Sequence, residues 1–182
     1  MYDFTQDMEC ILLDETTLNG IITDLAERIN HDYCDRSKTL VAIPVLKGAV
    51  FFATALLEKL TMPLEIDFVS ASSYRAATES GELSISALPQ RNDWDKVDVL
   101  LIEDIVDTGN TLSAMVGQLK KLGANVRVVA LLDKPSRRKV DFTADYIGQE
   151  IPNAFVVGFG LDYAEKYRNL PYIGILRREI YE

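Results

Sequence analysis

The sequence has one histidine, His31, and two cysteines, Cys10 and Cys34. A single histidine rules out multi-histidine metal sites and argues against Ser-His-Asp and Cys-His catalysis. His31 lies in "LAERINHDYCD", a stretch with helical spacing, and reads as a solvated helical position. Two irregularly placed cysteines supply neither a disulfide framework nor a zinc site, which fits a reducing, cytoplasmic setting. No apolar run reaches membrane-spanning length, and the opening "MYDFTQDMEC" is acidic and lacks the apolar core of a signal peptide. Positive charge is also short: 19 Lys and Arg stand against 28 Asp and Glu, a net charge of −9. That deficit disfavours broad binding to nucleic acid or anionic membranes. A small anion can still bind where the site is locally positive or uses a metal.

What is present is ordinary for a globular domain. The chain is 182 residues long, 48% apolar and 26% charged, and shows no repeat, low-complexity tract or linker. One domain over 1–182 is expected. Leu18, Ile21, Ile22, Leu25 and Ile29 recur at helical spacing, with Thr16 and Thr17 available as N-caps. "TLVAIPVL" (39–46) reads as a buried strand, and 47–60 as an apolar helix. The stretches 65–72 and 81–88 are strand-like and are separated by the polar "SYRAATES". "VDVLLIED" (97–104) is the clearest strand. Leu112, Met115, Val116, Leu119 and Leu122 line one face of the helix after it, with Lys120 and Lys121 in its last turn and Gly123 as its cap. "NVRVVALLD" (125–133), 153–160 and 172–176 complete the strands. Strands that alternate with helices and are apolar throughout predict a mainly parallel sheet flanked by helices. Such α/β folds bind ligands at the carboxyl ends of their strands.

"VLLIEDIVDTGNTL" (99–112) places Glu103, Asp104 and Asp107 at such an end. The turn from Asp107 to Thr111 joins strand to helix, so its backbone N–H groups and the helix dipole suit a phosphate. Gly109 lets the backbone come close, and Thr108 and Thr111 add hydroxyls. Taken alone, the turn could equally be an N-cap made by Asp107 or Thr108. That reading leaves the acids unexplained. Neighbouring strand residues point to opposite faces, and three acids so close repel one another unless a cation, hydroxyls or solvent meets them. A ribose phosphate satisfies both halves, with the phosphate on the N–H groups, the diol on the acids and Mg²⁺ offsetting the charge.

The stretch closely resembles the phosphoribosyl-pyrophosphate (PRPP) signature of the type I phosphoribosyltransferases: hydrophobic residues, an acidic pair, two apolar residues, Asp-[Ser/Thr]-Gly, a variable residue and Thr. Three further segments resemble the hypoxanthine-guanine branch of that family. In "VLKGAVFF" (45–52), Leu46, Lys47 and Gly48 match a loop whose backbone contacts pyrophosphate and whose bond before the lysine is often cis. In "SSYRAATESGELSI" (72–85), Ser73 and Tyr74 match the Ser-Tyr pair of a mobile loop that closes over the site. Lys134 matches a lysine that contacts the six-position oxygen of a purine. In 154–176, Phe155 matches the residue that stacks on the base and Val156 the one whose backbone reads its edge. Asp162 lies at the metal-pyrophosphate end, and Arg168 matches a pyrophosphate contact. Singly, Lys47, Phe155 and Arg168 have plainer readings as a surface lysine, a core ring and a solvated charge; their joint spacing after the signature does not.

The resemblance implies the type I phosphoribosyltransferase fold, with a small hood for the purine built from the N-terminal segment and roughly 150–182. It implies Mg²⁺-dependent transfer of 5-phosphoribosyl from PRPP to N9 of a 6-oxopurine, hypoxanthine or guanine, giving IMP or GMP and pyrophosphate in purine salvage. Glu103, Asp104 and Asp162 would hold the metal. The 107–111 loop, Asn110 included, would hold PRPP, Ile105 would join the purine site, and Asp107 would be the base. A homodimer or homotetramer is expected, with no nucleic-acid or membrane partner. Asn110 and Arg75 depart from the commonest pattern. Three rivals remain: an RNA-binding regulatory homologue, which the charge disfavours; a carboxylate-Mg²⁺ phosphatase or receiver domain, whose acids come from separate strands or a D-x-D pattern; and an adenine or pyrimidine transferase, which Lys134 disfavours.

Overall fold

The uninterrupted apolar runs form the central strands of the computed structural model, which describes residues 3–35, 37–72, 84–85 and 88–182. In chain order the elements are β1 (Met8–Leu13), α1 (Glu15–Tyr33), β2 (Thr39–Leu46), α2 (Val50–Leu57), β3 (Leu64–Ile66), β4 (Val69–Ser72), β5 (Ser84–Ile85), β6 (Val97–Val106), α3 (Asn110–Lys121), β7 (Asn125–Asp133), β8 (Tyr146–Glu150), β9 (Val156–Val157), β10 (Ile173–Leu176) and α4 (Arg178–Tyr181). The large sheet runs β5-β4-β2-β6-β7-β8, with β3 also paired to β2. Its pairings are parallel except for β4 with β5.

Both faces of this sheet are buried, as its apolar strands require. Alternate side chains go to opposite sides. Leu40, Ala42, Leu100 and Ile102 pack with Leu18, Ile22 and Leu25 of α1 and Phe52 and Leu56 of α2. Val41, Ile43, Val99 and Leu101 pack with Leu112, Met115 and Leu119 of α3. A second, antiparallel sheet, β1-β10-β9, brings the two ends of the chain together. It encloses a small core of Met8, Val157, Tyr167, Leu170 and Leu176. Among the described residues no helix is long and apolar enough to cross a membrane.

Several expectations need correction. Asp14, not Thr16 or Thr17, caps α1, its carboxylate accepting from the Thr17 N–H at 2.8 Å. Helix α2 covers only Val50–Leu57, because 47–49 form a turn into it. The 65–72 stretch is two short strands, β3 and β4, and 153–160 contributes only the two residues of β9. Leu122 is exposed at the cap of α3, whereas Gly123 beyond it has φ +96°, the left-handed turn glycine favours. Strand β6 runs two residues further than expected, to Val106. Strands β1 and β8 were not anticipated; both are only partly buried and so carry no long apolar run.

One polar cluster ties the end of α1 to β7 and β8. Asp32 accepts from Arg127 at 2.5 Å and from the Tyr146 hydroxyl at 2.7 Å. These bonds, Tyr146 first, hold the Asp32 carboxyl down at about 2 from the usual 3.8. A depressed acid contributes stability above its unfolded value and loses it as pH falls through the folded one. The melting temperature should therefore drop between about pH 4 and pH 2, and Asp32→Asn should flatten that segment. A melting series over this range checks it; an unchanged slope in the variant would remove Asp32 from the acid response.

Candidate active site

The sheet's strand ends open the site. The pairing of β6 with β2 stops at Ile102, while its pairing with β7 continues to Val106. The last four residues of β6 therefore have one free edge, which faces a cavity of about 580 Å³ lined by Glu103 to Gly109, Leu46 to Gly48, Thr111, Asp162, Glu165 and Arg168. Both Glu103 and Asp104 line it, although strand alternation predicted opposite faces. Burial pushes the Glu103 carboxyl well above its usual range, and the adjacent Asp104 pushes the same way. Burial also raises Asp104, opposed by its bonds to Glu103 and the Ile105 N–H and by the Arg168 charge. Two adjacent carboxylates, Asp104 buried and Glu103 partly so, that resist ionising form a site that gains from a cation. Among the described residues no three His, Cys, Asp or Glu side chains gather as a metal cage.

A cis peptide and two close approaches mark this corner. The Leu46–Lys47 peptide is cis. A side chain on Gly48 would overlap the Asp104 carboxylate, and one on Gly160 would overlap the Gly48 carbonyl. Only glycine lets these three segments meet.

The turn beyond β6 leaves its helix end open. Gly109 is the N-cap of α3, with φ +82° and no side-chain capping bond. Neither Asp107 nor Thr108 caps the helix in the ordinary way; the Thr108 hydroxyl only accepts from the Asn110 N–H, at 3.4 Å. The first-turn N–H groups thus remain available to an anion. The segment after β7 supports the loop from behind. Arg137 donates to the Asp107 carboxylate at 3.0 Å, Arg138 to the Asp107 carbonyl at 2.5 Å, and the Lys139 N–H to the Thr108 carbonyl at 3.0 Å. Arg138 also pairs with buried Asp133.

The far wall is a charge network. Arg168 pairs with Asp162 at 2.8 Å and Glu165 at 3.5 Å and donates to the Gly160 carbonyl at 2.8 Å, while Lys47 pairs with Glu165 at 3.0 Å. The second Asp162 oxygen accepts from the Glu165 N–H at 2.9 Å. Arg168 Nε is buried with no hydrogen-bond partner among the described residues. The hairpin holding this wall is strained: Phe159, Ala164, Glu165 and Tyr167 all have φ between 47° and 74°. Non-glycine residues adopt that region where surrounding contacts hold them there, often at functional sites.

The purine candidates lie beside this cavity. The Lys134 N–H donates to the Val106 carbonyl at 2.9 Å, which seats the residue next to Asp107. Its ammonium is mostly buried and donates to the Ala154 carbonyl at 2.7 Å. Burial lowers its pKa, with the Asp107 charge opposing. Phe155 is half-exposed and stacks on Tyr181 with centroids 4.7 Å apart. Val156 is buried and paired with Ile175 in the small sheet, and Ile105 lines the cavity. Ser73 and Tyr74 lie outside the described residues, with most of the 72–85 loop. The expected residues omitted Arg137, Arg138, Glu165 and Tyr181. Arg137 and Arg138 had a signal: β6 and β7 are consecutive parallel strands, so the residues after each must meet at one sheet edge.

The family model for the phosphoribosyl transferase domain matches residues 11–164. A curated hypoxanthine-guanine phosphoribosyltransferase of Staphylococcus aureus (strain Mu50) is 44% identical over 177 residues, covering 96% of this chain and 97% of its own. The crystal structure of a hypoxanthine phosphoribosyltransferase from Staphylococcus aureus has a TM-score of 0.89 at 42% identity, covering 98% of this chain and 97% of its own. A ternary substrates complex of a lysine-to-arginine variant of the Trypanosoma cruzi hypoxanthine phosphoribosyltransferase also has a TM-score of 0.89, at 36% identity, covering 97% of this chain and all of its own.

Proposed function

Because the chain belongs to the phosphoribosyltransferase family, we propose that it transfers 5-phosphoribosyl from PRPP to N9 of hypoxanthine or guanine. The observation that carries this reading is the edge of β6, which sets two adjacent carboxylates, Asp104 buried and Glu103 partly buried, beside an uncapped helix N-terminus. The 5-phosphate goes to the N–H groups and hydroxyls of 108–111, and the ribose diol to Glu103 and Asp104. The pyrophosphate goes to the Leu46–Gly48 turn, with Lys47 and Arg168 beside it. The Arg168 guanidinium lines the cavity on that side.

N9 forms its bond to C1′ as the C1′–pyrophosphate bond breaks, and pyrophosphate leaves with the electron pair. The N7 proton passes to Asp107. The transition state resembles an oxocarbenium ion, so positioning and carboxylates near the cationic sugar carry most of the catalysis. The hard oxygen donors of Glu103 and Asp104 fit Mg²⁺, which commonly takes one or two carboxylates plus substrate oxygens rather than a full protein cage. Bound there, Mg²⁺ would neutralise the leaving pyrophosphate. Asp162 would support this end through Arg168 as much as through the metal, since both its oxygens already have partners. The small sheet of β1, β10 and β9 serves as the hood, with Lys134, Phe155, Val156 and Ile105 around the base.

Pyrophosphate release followed with PRPP and hypoxanthine, with and without Mg²⁺, tests the reading. Release should need all three. Release without purine, or turnover unaffected by a chelator, would overturn the transferase or the metal assignment respectively.

A further inference from the structure

The C-terminus carries a feature that the transfer reaction as described leaves unused. Tyr181 is the penultimate residue, on the short helix α4. Its ring stacks on Phe155 at 4.7 Å with an interplanar angle of 21°. Tyr163 meets the same Phe155 ring at right angles, 5.7 Å away. We propose that Tyr181 is a positioning residue for the purine: it fixes the plane of Phe155 so that the opposite face is held ready for the base. This rests on Phe155 being the base-stacking residue.

The placement of Tyr181 is built. Arg177, just before α4, clasps the start of β1: its N–H donates to the Asp7 carbonyl and its Nε to the Met8 carbonyl, each at 3.0 Å. Ile180 and Tyr181 pack against the small core that contains Met8 and Val157. The side on which Tyr181 lies follows from the strand. Val156 faces the large core, against which Ile105 packs, while Val157 faces the small core with Tyr181. Tyr181 therefore meets Phe155 on the side of the small core, whereas Ile105 packs against the large one. Phe155 remains 37% exposed, so the ring still has surface to offer a base. The same backbone stretch binds the purine lysine and the C-terminal strand: the Ala154 carbonyl accepts from Lys134 Nζ at 2.7 Å and the Phe155 carbonyl from the Leu176 N–H at 2.8 Å. A half-exposed phenylalanine with no backing could turn about χ1 and lose its platform, and binding would then bear the ordering entropy. Stacking does not read the six-position substituent, so Tyr181 sets affinity for the ring system and leaves oxo-over-amino preference to Lys134.

The test is steady-state kinetics on the full-length protein and three variants. Tyr181→Leu, which keeps apolar bulk, should raise KM for hypoxanthine and guanine together by about three- to tenfold, the range of an aromatic pair. It should change kcat and KM for PRPP by less than about twofold. Tyr181→Phe should restore the wild-type KM. Phe155→Leu should raise the purine KM at least as far, and adding Tyr181→Leu to it should add nothing, because one residue acts through the other. If Phe155→Leu raises the purine KM and Tyr181→Leu does not, the inference about Tyr181 fails and the base-stacking reading stands. If Phe155→Leu leaves the purine KM unchanged, that reading fails and the inference with it. A lowered KM in Tyr181→Leu would mean that the tyrosine occupies the base's own seat, which also overturns the proposal.

Discussion

Replacing Asp107 with asparagine is expected to lower kcat by about 10²–10⁴-fold, the usual contribution of a general base. KM for PRPP should change little. The amide keeps the side chain's shape and leaves the uncapped helix end and the hydroxyls of Thr108 and Thr111 in place, but it cannot take the purine N7 proton. The structure adds a detail the sequence did not contain: Arg137 holds the Asp107 carboxylate at 3.0 Å. Both side chains are well exposed, and such pairs are worth at most about 1 kcal/mol. Asp107 can therefore exchange Arg137 for the base at small cost. The only histidine, His31, sits exposed on α1 beside Asp32, far in the chain from this loop and with no part in it. Turnover at the wild-type rate in the asparagine variant would remove Asp107 as the base.

Lys134→Ala should cut kcat/KM for hypoxanthine by about 10–100-fold, the value of a hydrogen bond from a charged donor. A lysine ammonium donates and never accepts, so it pairs with the oxygen of a 6-oxopurine and meets only a donor in adenine. Wild-type enzyme should therefore reject adenine by several orders of magnitude, because a site built to bond one group leaves its own buried polar atom unpaired with the analogue. Lys134 already spends its ammonium on the Ala154 carbonyl, which keeps it aimed between the end of β7 and Phe155. Lys134 is also closer to the 107–111 loop than its sequence position implies, since its N–H holds the Val106 carbonyl. Alanine retains that backbone bond, so PRPP affinity measured by calorimetry should hold while purine use falls. Loss of PRPP binding instead would show that Lys134 supports the loop and does not read the base.

The parts of the fold legible in the sequence were those with a physical signature in one dimension. β2 and β7 are legible residue for residue because both faces of a central parallel strand are buried and the run is unbroken. β1 and β8 escaped because they lie at or near sheet edges, half-exposed, with Glu9, Cys10, Gln149 and Glu150 interrupting the apolar pattern. The expected α2 is too long because the turns at 47–49 and 58–59 end the helix without breaking the composition of the stretch. The site was legible where it is local, from Glu103 to Thr111. Arg137 on Asp107, Glu165 on Lys47 and Tyr181 on Phe155 join residues between 26 and 118 positions apart. Such pairs come from the order of strands in the sheet and the closing of the two chain ends, which no local pattern encodes.

The proposed reaction needs one site that takes PRPP at the end of β6 and a 6-oxopurine beside Lys134. An assay of the wild-type protein with PRPP and Mg²⁺ across hypoxanthine, guanine, xanthine and adenine tests it most directly, with nucleoside monophosphate and pyrophosphate both quantified. Equal amounts of the two products from hypoxanthine or guanine, with adenine near background, are predicted. Adenine used as well as hypoxanthine, or no nucleotide formed from any purine, would contradict it.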